Sequence, residues 1–296
     1  MISIVMTTCK REPEIVMRAI RSVVAQTYKD WELIVIDDSP NDYMYRNEVK
    51  KCIFSIIDNN IEYVNNNENK GACYSRNIGL KKAKGKYIAF LDDDDEWLPD
   101  KLEKQVTALD KSDDLTALVY GPFYKVEVAK NDKKLIPLDN RSGMIYEILM
   151  QKGNIIGGMS MPLLRTSHVR DVGGFDELMQ SAQDIDLWIR ISKKYKVLFL
   201  DEPLVLYYVH EGEQITRNPL KKIAGLERLI EKNKEYLKMH PNLMWKKTIT
   251  LIPHYCSAGL KSKAFSKWKE AVILCPEKIP NNIQELVRII GSKAKQ

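Results

Sequence analysis

Lys86-Tyr87-Ile88-Ala89-Phe90-Leu91 runs straight into Asp92-Asp93-Asp94-Asp95. The first six residues read as a buried β-strand, and the next four are adjacent carboxylates that repel one another. A fold keeps such charges at one spot where a cation or strong solvation offsets them. A strand ending in clustered carboxylates delivers hard oxygen ligands to the mouth of an open sheet, where α/β proteins bind ligands. Mg²⁺ or Mn²⁺ bridging a diphosphate suits that place. The competing reading is a solvated acidic loop that caps the next helix.

Outward from this stretch, strand and helix patterns alternate. Ile2–Met6, Trp31–Ile36 and Ile61–Val64 read as strands, and Glu12–Ala25, Asp42–Ile57 and Gly71–Lys84 as helices. That spacing predicts an α/β fold with a mainly parallel, doubly wound sheet. The strand Trp31–Ile36 also ends in acids, Asp37-Asp38. Carboxyl ends of parallel strands share one edge, so both acidic pairs converge on one cleft, which favours a binding site over a surface loop.

Farther along, Thr116–Val128 reads as strand-rich, Ser142–Gln151 and Ala182–Lys194 as helical, and Met159–Arg165, Val197–Leu200 and Leu204–Val209 as strands. From Pro219 the pattern is helical, broken at Pro241 and near Gly259. Trp245–Ala258 and Lys263–Leu274 resemble one tetratricopeptide-like hairpin, with no second copy.

Composition bounds the rest. The 296 residues are 44% hydrophobic and 29% charged, enough for a large core, and the apolar runs are strand-sized. Met1-Ile2-Ser3-Ile4-Val5-Met6 reads as a first strand rather than a leader. Five cysteines without a close pair argue for a reducing compartment, hence a cytoplasmic protein, and against structural zinc. The net charge of +6 divides unevenly: residues 217–296 carry 17 Lys and Arg against 6 Glu, leaving the rest at −5. A basic tail suits an anionic surface, either the inner membrane face or a phosphorylated acceptor, or is simply a Lys-rich helical face. Nucleic acid is disfavoured, because no basic motif interleaved with aromatics is present.

The landmarks fall in a familiar order. Ile4-Val5-Met6-Thr7-Thr8 precedes Ser22-Val23-Val24-Ala25-Gln26-Thr27-Tyr28, the acid-ended second strand, Arg76-Asn77-Ile78-Gly79-Leu80 and Phe90 to Pro99. Later, Gly173-Gly174-Phe175-Asp176-Glu177 precedes Gln183-Asp184-Ile185-Asp186-Leu187-Trp188. Across the first two-thirds of the chain this resembles a family 2 glycosyltransferase of the GT-A fold, a group of inverting enzymes that use nucleotide sugars.

The resemblance implies roles residue by residue. Thr7 would lie against the nucleotide base, Asp38 would contact uracil or ribose, and Arg76 would face the nucleotide. Asp92-x-Asp94 matches the Asp-x-Asp motif, with Asp94 as the direct Mn²⁺ or Mg²⁺ ligand, Asp92 beside it and Asp93 nearer the ribose. Asp184 would be the general base, though Gln183 stands where the family often has Glu. His210, as a metal or diphosphate contact, and Arg217, in the diphosphate or acceptor region with Trp188, resemble a loop that folds over the diphosphate. The implied organisation is a GT-A domain over 1–216 (a donor half of about 1–115, an acceptor half of about 116–216) and a basic helical region over 217–296.

Each role has a plainer counterpart. Ser181-Ala182-Gln183-Asp184 also fits a helix capping box. Asp186 reads as an exposed helix acid, Arg76 as half of a surface ion pair, His210 as an ordinary histidine, and Trp97 and Trp188 as core or cleft walls. As whole-protein alternatives, a sugar-nucleotide nucleotidyltransferase would want a glycine-rich loop that Thr7-Thr8-Cys9-Lys10-Arg11 lacks. A non-catalytic scaffold finds support only in Gln183. The expectation is therefore a metal-dependent transferase moving a sugar from a nucleotide diphosphate donor, a UDP-sugar, to a glycan or lipid-linked acceptor in bacterial surface polysaccharide (capsule or O-antigen) synthesis.

Overall fold

The computed structural model describes residues 1–56, 60–66, 68–130, 132–209 and 218–291. Two compact units form: Met1–Glu177 with Leu187–Glu211, and Leu178–Asp186 with Gly212–Gln296.

The first unit holds strands β1 (Ile2–Thr8), β2 (Trp31–Asp37), β3 (Ile61–Asn65), β4 (Tyr87–Asp92), β5 (Glu96–Trp97), β6 (Thr116–Tyr120), β7 (Phe123–Glu127), β8 (Asp132–Ile136), β9 (Leu163–Arg165), β10 (Lys196–Phe199) and β11 (Val205–Val209). A seven-stranded sheet runs β10-β6-β9-β4-β1-β2-β3. It is parallel except for β9, which pairs antiparallel with both β4 and β6. The central strands bury both faces, in keeping with the runs Ile2–Met6, broken only by the buried Ser3, and Ile88–Leu91.

Helices α1 (Pro13–Val24), α2 (Arg46–Phe54), α3 (Ala72–Lys82), α4 (Lys101–Asp110), α5 (Tyr146–Lys152), α6 (Thr166–Asp171) and α7 (Gln183–Ser192) follow. Pro13 opens α1, and the expected face of Val16, Ala19, Ile20 and Val23 is buried. The helix α2 is shorter than the sequence pattern suggests, because Pro40–Tyr43 and Tyr43–Arg46 close successive turns first. The helix α3 lies very close to β1: a Cβ built on Gly79 would meet Val5 Cγ1 at 2.2 Å.

A second sheet runs β5-β11-β7-β8; the sequence pattern predicts Leu204–Val209 and the end of Thr116–Val128 as strands, but not β5, β8 or their pairing into a separate sheet. The strand-rich stretch Thr116–Val128 is divided between the two sheets at Gly121, where the backbone passes so close to Leu200 that a Cβ would sit 2.1 Å from its carbonyl oxygen. The strand β8 ends this sheet, and Asp132, Lys133 and Lys134 on it are exposed.

The second unit is helical: α8 (Pro219–Lys232), α9 (Lys234–Lys238), α10 (Pro241–Ser257), α11 (Lys261–Leu274) and α12 (Ile279–Gly291). Its core joins Ile223, Leu251, Ile252, Tyr255, Ala264 and Ile289. The expected hairpin is α10 and α11, with α10 beginning at Pro241, a residue suited to a first turn. This unit also takes in Leu178–Asp186, which the sequence boundary at 216 assigns elsewhere. Gly225 is the physical reason: without a side chain, α8 closes onto Ser181, whose carbonyl oxygen lies 2.5 Å from where a Cβ would be. Among the described residues no helix is long and apolar enough to cross a membrane.

Candidate active site

The strand β1 sits between β2 and β4, so Thr7 is opposite Ile36 on one side and Asp92 on the other, and Thr8 is opposite Asp37. The chain lays strands outward from β1 to β3, then returns to place β4 on the far side of β1. The reversal places the switch in strand order between β1 and β4 at the carboxyl edge, the position at which open α/β sheets bind ligands. Neighbouring strands are about 4.8 Å apart, so the ends of β2 and β4, on either side of β1, lie about 10 Å from each other.

The four carboxylates alternate between solvent and core. The side chains of Asp92 and Asp94 are 33% and 19% exposed, against 8% for Asp93; the whole residue Asp95 is 1% exposed. A tight turn, with Asp95 N–H donating to Asp92 O at 3.1 Å, sets this alternation. The solvated-loop reading does not describe it, since two of the four acids turn inward. Asp95 accepts from the Ser160 hydroxyl (2.5 Å) and the Tyr208 amide (3.3 Å), while Ser160 Oγ accepts from Asp92 N–H at 3.1 Å. Burial, reinforced by Asp92 and Asp94, pushes the Asp95 carboxyl well above its ordinary range. Burial likewise pushes Asp93 up to about 6, opposed by Arg11.

Three arginines answer the charge. Arg76, on α3, donates to Asp92 Oδ1 at 2.8 Å and lies over the Phe175 ring. Arg18, on α1, donates to the Asp94 carbonyl at 2.7 Å with its guanidinium 3.7 Å from the Tyr208 ring centroid. Arg11, in the β1–α1 loop, donates Nε–H to Asp93 Oδ1 at 2.9 Å and a terminal N–H to Asp94 Oδ2. Arg76 is thus a buried partner of the acidic turn, not half of a surface pair.

Asp38 is also buried, and its carboxylate accepts from Asn66 Nδ2–H (2.7 Å), Lys70 N–H (2.9 Å) and Gly71 N–H (2.8 Å). It therefore ties the loop before α3 to the end of β2, a structural task beside the nucleotide contact expected of it. Thr7 is half-buried at the end of β1. The edge thus gathers Thr7, Asp38, Arg76, Asp92, Asp93 and Asp94.

Asp184 belongs to the second unit. Ala182 precedes its helix in the left-handed region (φ +57°), a strained setting for a residue with a side chain. The Asp184 carboxylate accepts the Ile185 amide at 2.8 Å in the first turn of α7. Gln183 donates to the Met179 carbonyl at 3.2 Å. Asp186 is not an exposed acid: it is buried and paired with Lys232. Trp188 is wholly buried, its indole N–H donating to Gly157 O at 3.1 Å, which leaves it no free face for a sugar. His210 and Arg217 lie outside the described residues.

Sequence reasoning passed over Arg11, Arg18, Ser160 and Lys101. Lys101 is fully buried beside Trp97 and donates to Gln105 Oε1 at 2.7 Å. Arg11 alone had a usable signal, being a cation in the loop that leaves a central strand.

Among the described residues no three His, Cys, Asp or Glu side chains are gathered for an ion. The donor set nevertheless fits Mg²⁺ or Mn²⁺, which take one or two carboxylates and complete their shell with phosphate and water. Asp92 and Asp94 are the two outward carboxylates, and Asp94 already attracts a cationic group, the Arg11 guanidinium.

The family model for glycosyl transferase family 2 matches residues 3–166. WcaA of Escherichia coli (strain K12), a glycosyl transferase named for colanic acid biosynthesis, is 33% identical over 241 residues, 79% of this chain and 82% of that one. WfgD of Escherichia coli, a UDP-Glc:alpha-D-GlcNAc-diphosphoundecaprenol beta-1,3-glucosyltransferase, is 32% identical over 193 residues, 65% of this chain and 70% of its own. Other relatives are longer: the chain spans 32% of a Rickettsia conorii glycosyltransferase that is 31% identical over the aligned part. Among solved structures, S. aureus TarS 1-349 in complex with UDP-GlcNAc superposes with a TM-score of 0.67 over 98% of this chain and 88% of that one, at 16% identity. That likeness speaks to the fold, GT-A. With more than half its length matched by one family model and an open parallel sheet of the same plan, the chain belongs to glycosyl transferase family 2 and is a glycosyltransferase.

Proposed function

We propose that the protein is a divalent-metal-dependent, inverting glycosyltransferase that takes a UDP-sugar and glycosylates a hydroxyl of a glycan or lipid-linked acceptor during surface polysaccharide assembly. The observation that carries this reading is the pair of outward carboxylates, Asp92 and Asp94, set among arginines at the point where the strand order reverses. The names of WcaA and WfgD support the polysaccharide setting, a UDP-linked donor and a lipid-diphosphate acceptor.

In this reading Asp94, with Asp92, holds Mn²⁺ or Mg²⁺, which when bound supplies Lewis-acid neutralisation of charge on the leaving diphosphate. Thr7 lies against the base, Asp38 and Asp93 serve the uracil and ribose, and Arg76 orients the nucleotide while fixing Asp92. Asp184 takes the proton from the acceptor hydroxyl as it attacks the anomeric carbon. It stands in the first turn of α7, where its carboxylate accepts the Ile185 amide. A cytoplasmic site at the inner membrane face, with the basic tail against anionic lipid, accords with the charge of residues 217–296.

Asp184→Asn tests the reading. Transfer from a UDP-sugar should fall by at least about a thousandfold, on the scale of losing a catalytic base, while UDP-sugar binding by calorimetry and the melting temperature stay near wild type. Surviving transfer would place the base elsewhere.

A further inference from the structure

The three arginines around the acidic turn are not alike. Arg76 projects from α3 and is buried against Phe175. Arg18 projects from α1 and is held between the Asp94 carbonyl and the face of Tyr208. Arg11 projects from a loop, its side chain 29% exposed, and it binds side chains only. Its approach is set by Lys10, which adopts φ +52° and donates its amide to Ser39 Oγ at 2.9 Å. A side-chain-bearing residue in the left-handed region is strained, so the turn that aims Arg11 back over the acids is held by its surroundings. The backbone of the acidic turn does not depend on Arg11, because Ser160 and Arg18 hold it from the other sides.

We propose that Arg11 sets the turn's affinity for a divalent ion, as a resident cation on Asp94 that the ion and its nucleotide must displace. Asp94 Oδ2 takes the Arg11 N–H, and that carboxylate is the one proposed to hold the ion, so the inference rests on that reading. Two cations cannot share one carboxylate face without strong repulsion, and hence protein without nucleotide binds the ion weakly. A planar fork released from carboxylates matches a diphosphate equally well. The nucleoside diphosphate therefore draws Arg11 off Asp94 and opens the oxygen to the ion. By linkage, ion and nucleotide each strengthen the other's binding through this one side chain.

The test is Mn²⁺ binding to the full-length protein, read from the free-ion electron paramagnetic resonance signal, with and without UDP, for wild type, Arg11→Gln, Arg11→Lys and Asp94→Asn. Without UDP, Arg11→Gln should bind Mn²⁺ at least tenfold more tightly than wild type, with Arg11→Lys between the two. With saturating UDP the gap should close to less than threefold, because wild type gains from nucleotide what the variant already has. Equal affinities of wild type and Arg11→Gln without UDP, or an undiminished gap with UDP, overturn the inference. Asp94→Asn separates this from the underlying reading: wild-type Mn²⁺ binding in that variant removes Asp94 as the ion's ligand. Loss of binding there, with Arg11→Gln unchanged, keeps the site and sinks only the switch. Should Arg11→Gln fail to fold, Arg11→Lys decides alone, with at least threefold tighter binding expected.

Discussion

At the residue scale, the run Asp92–Asp95 works because its members face different ways. The sequence displays the run but not the alternation, since the groups that sort it arrive from afar: Arg11 lies 82 residues before Asp93, and Ser160 lies 68 after Asp92. Short-range patterns carry no record of such partners. Lys101, in α4, is as concealed: a lysine after a strand reads as surface, yet its amine is fully buried. Burial pushes its ammonium well below the usual lysine range. The unfolded chain binds a proton below about pH 10.4 that the folded chain refuses, so stability falls as pH drops from there. Lys101→Met should therefore raise the melting temperature at pH 7. The difference between variant and wild type should shrink as pH approaches 10. Thermal melts across that range check it, and a variant that melts lower at pH 7 contradicts the account.

At the element scale, the strands that build the candidate site were the readable ones. The strands β1, β2 and β4 are mainly apolar because helices cover both faces, Ser3 and Glu32 being paired with each other, and each ends at a polar residue, Thr8, Asp37 or Asp92. The second sheet was not readable: β5 has two residues and β7 is half-buried, so neither shows a period, and their pairing depends on distant β11. The basis for α3 is a single glycine. With Gly79 packed on Val5, Gly79→Ala should cost about 1–3 kcal/mol through overpacking. Arg76 stands one turn earlier on the same helix, so UDP affinity should weaken as well. Urea unfolding and calorimetry would reveal both changes, and an unaffected variant would mean that α3 has slack.

At the scale of the whole molecule, charge is divided unevenly along the chain. The excess of cations lies in residues 217–296, and on α11 the exposed Phe265 and Ile273 stand among Lys261, Lys263 and Lys269. Apolar side chains interleaved with lysine suit a lipid interface, each basic residue near an anionic surface contributing about 1 kcal/mol. Flotation with vesicles should show binding that rises with the anionic lipid fraction and fades as salt approaches 0.5 M; indifference to lipid charge would remove the membrane from the picture. The sequence suggested this polarity of charge, but not that Leu178–Asp186 would join the helical unit, which depends on the close approach of Gly225 to Ser181. The last strand of the small sheet has its own effect on how copies of the protein meet. A second copy seeking to extend β8 would add further Lys133 and Lys134 side chains beside the exposed pair already there, and that repulsion disfavours edge-to-edge pairing of copies at this strand.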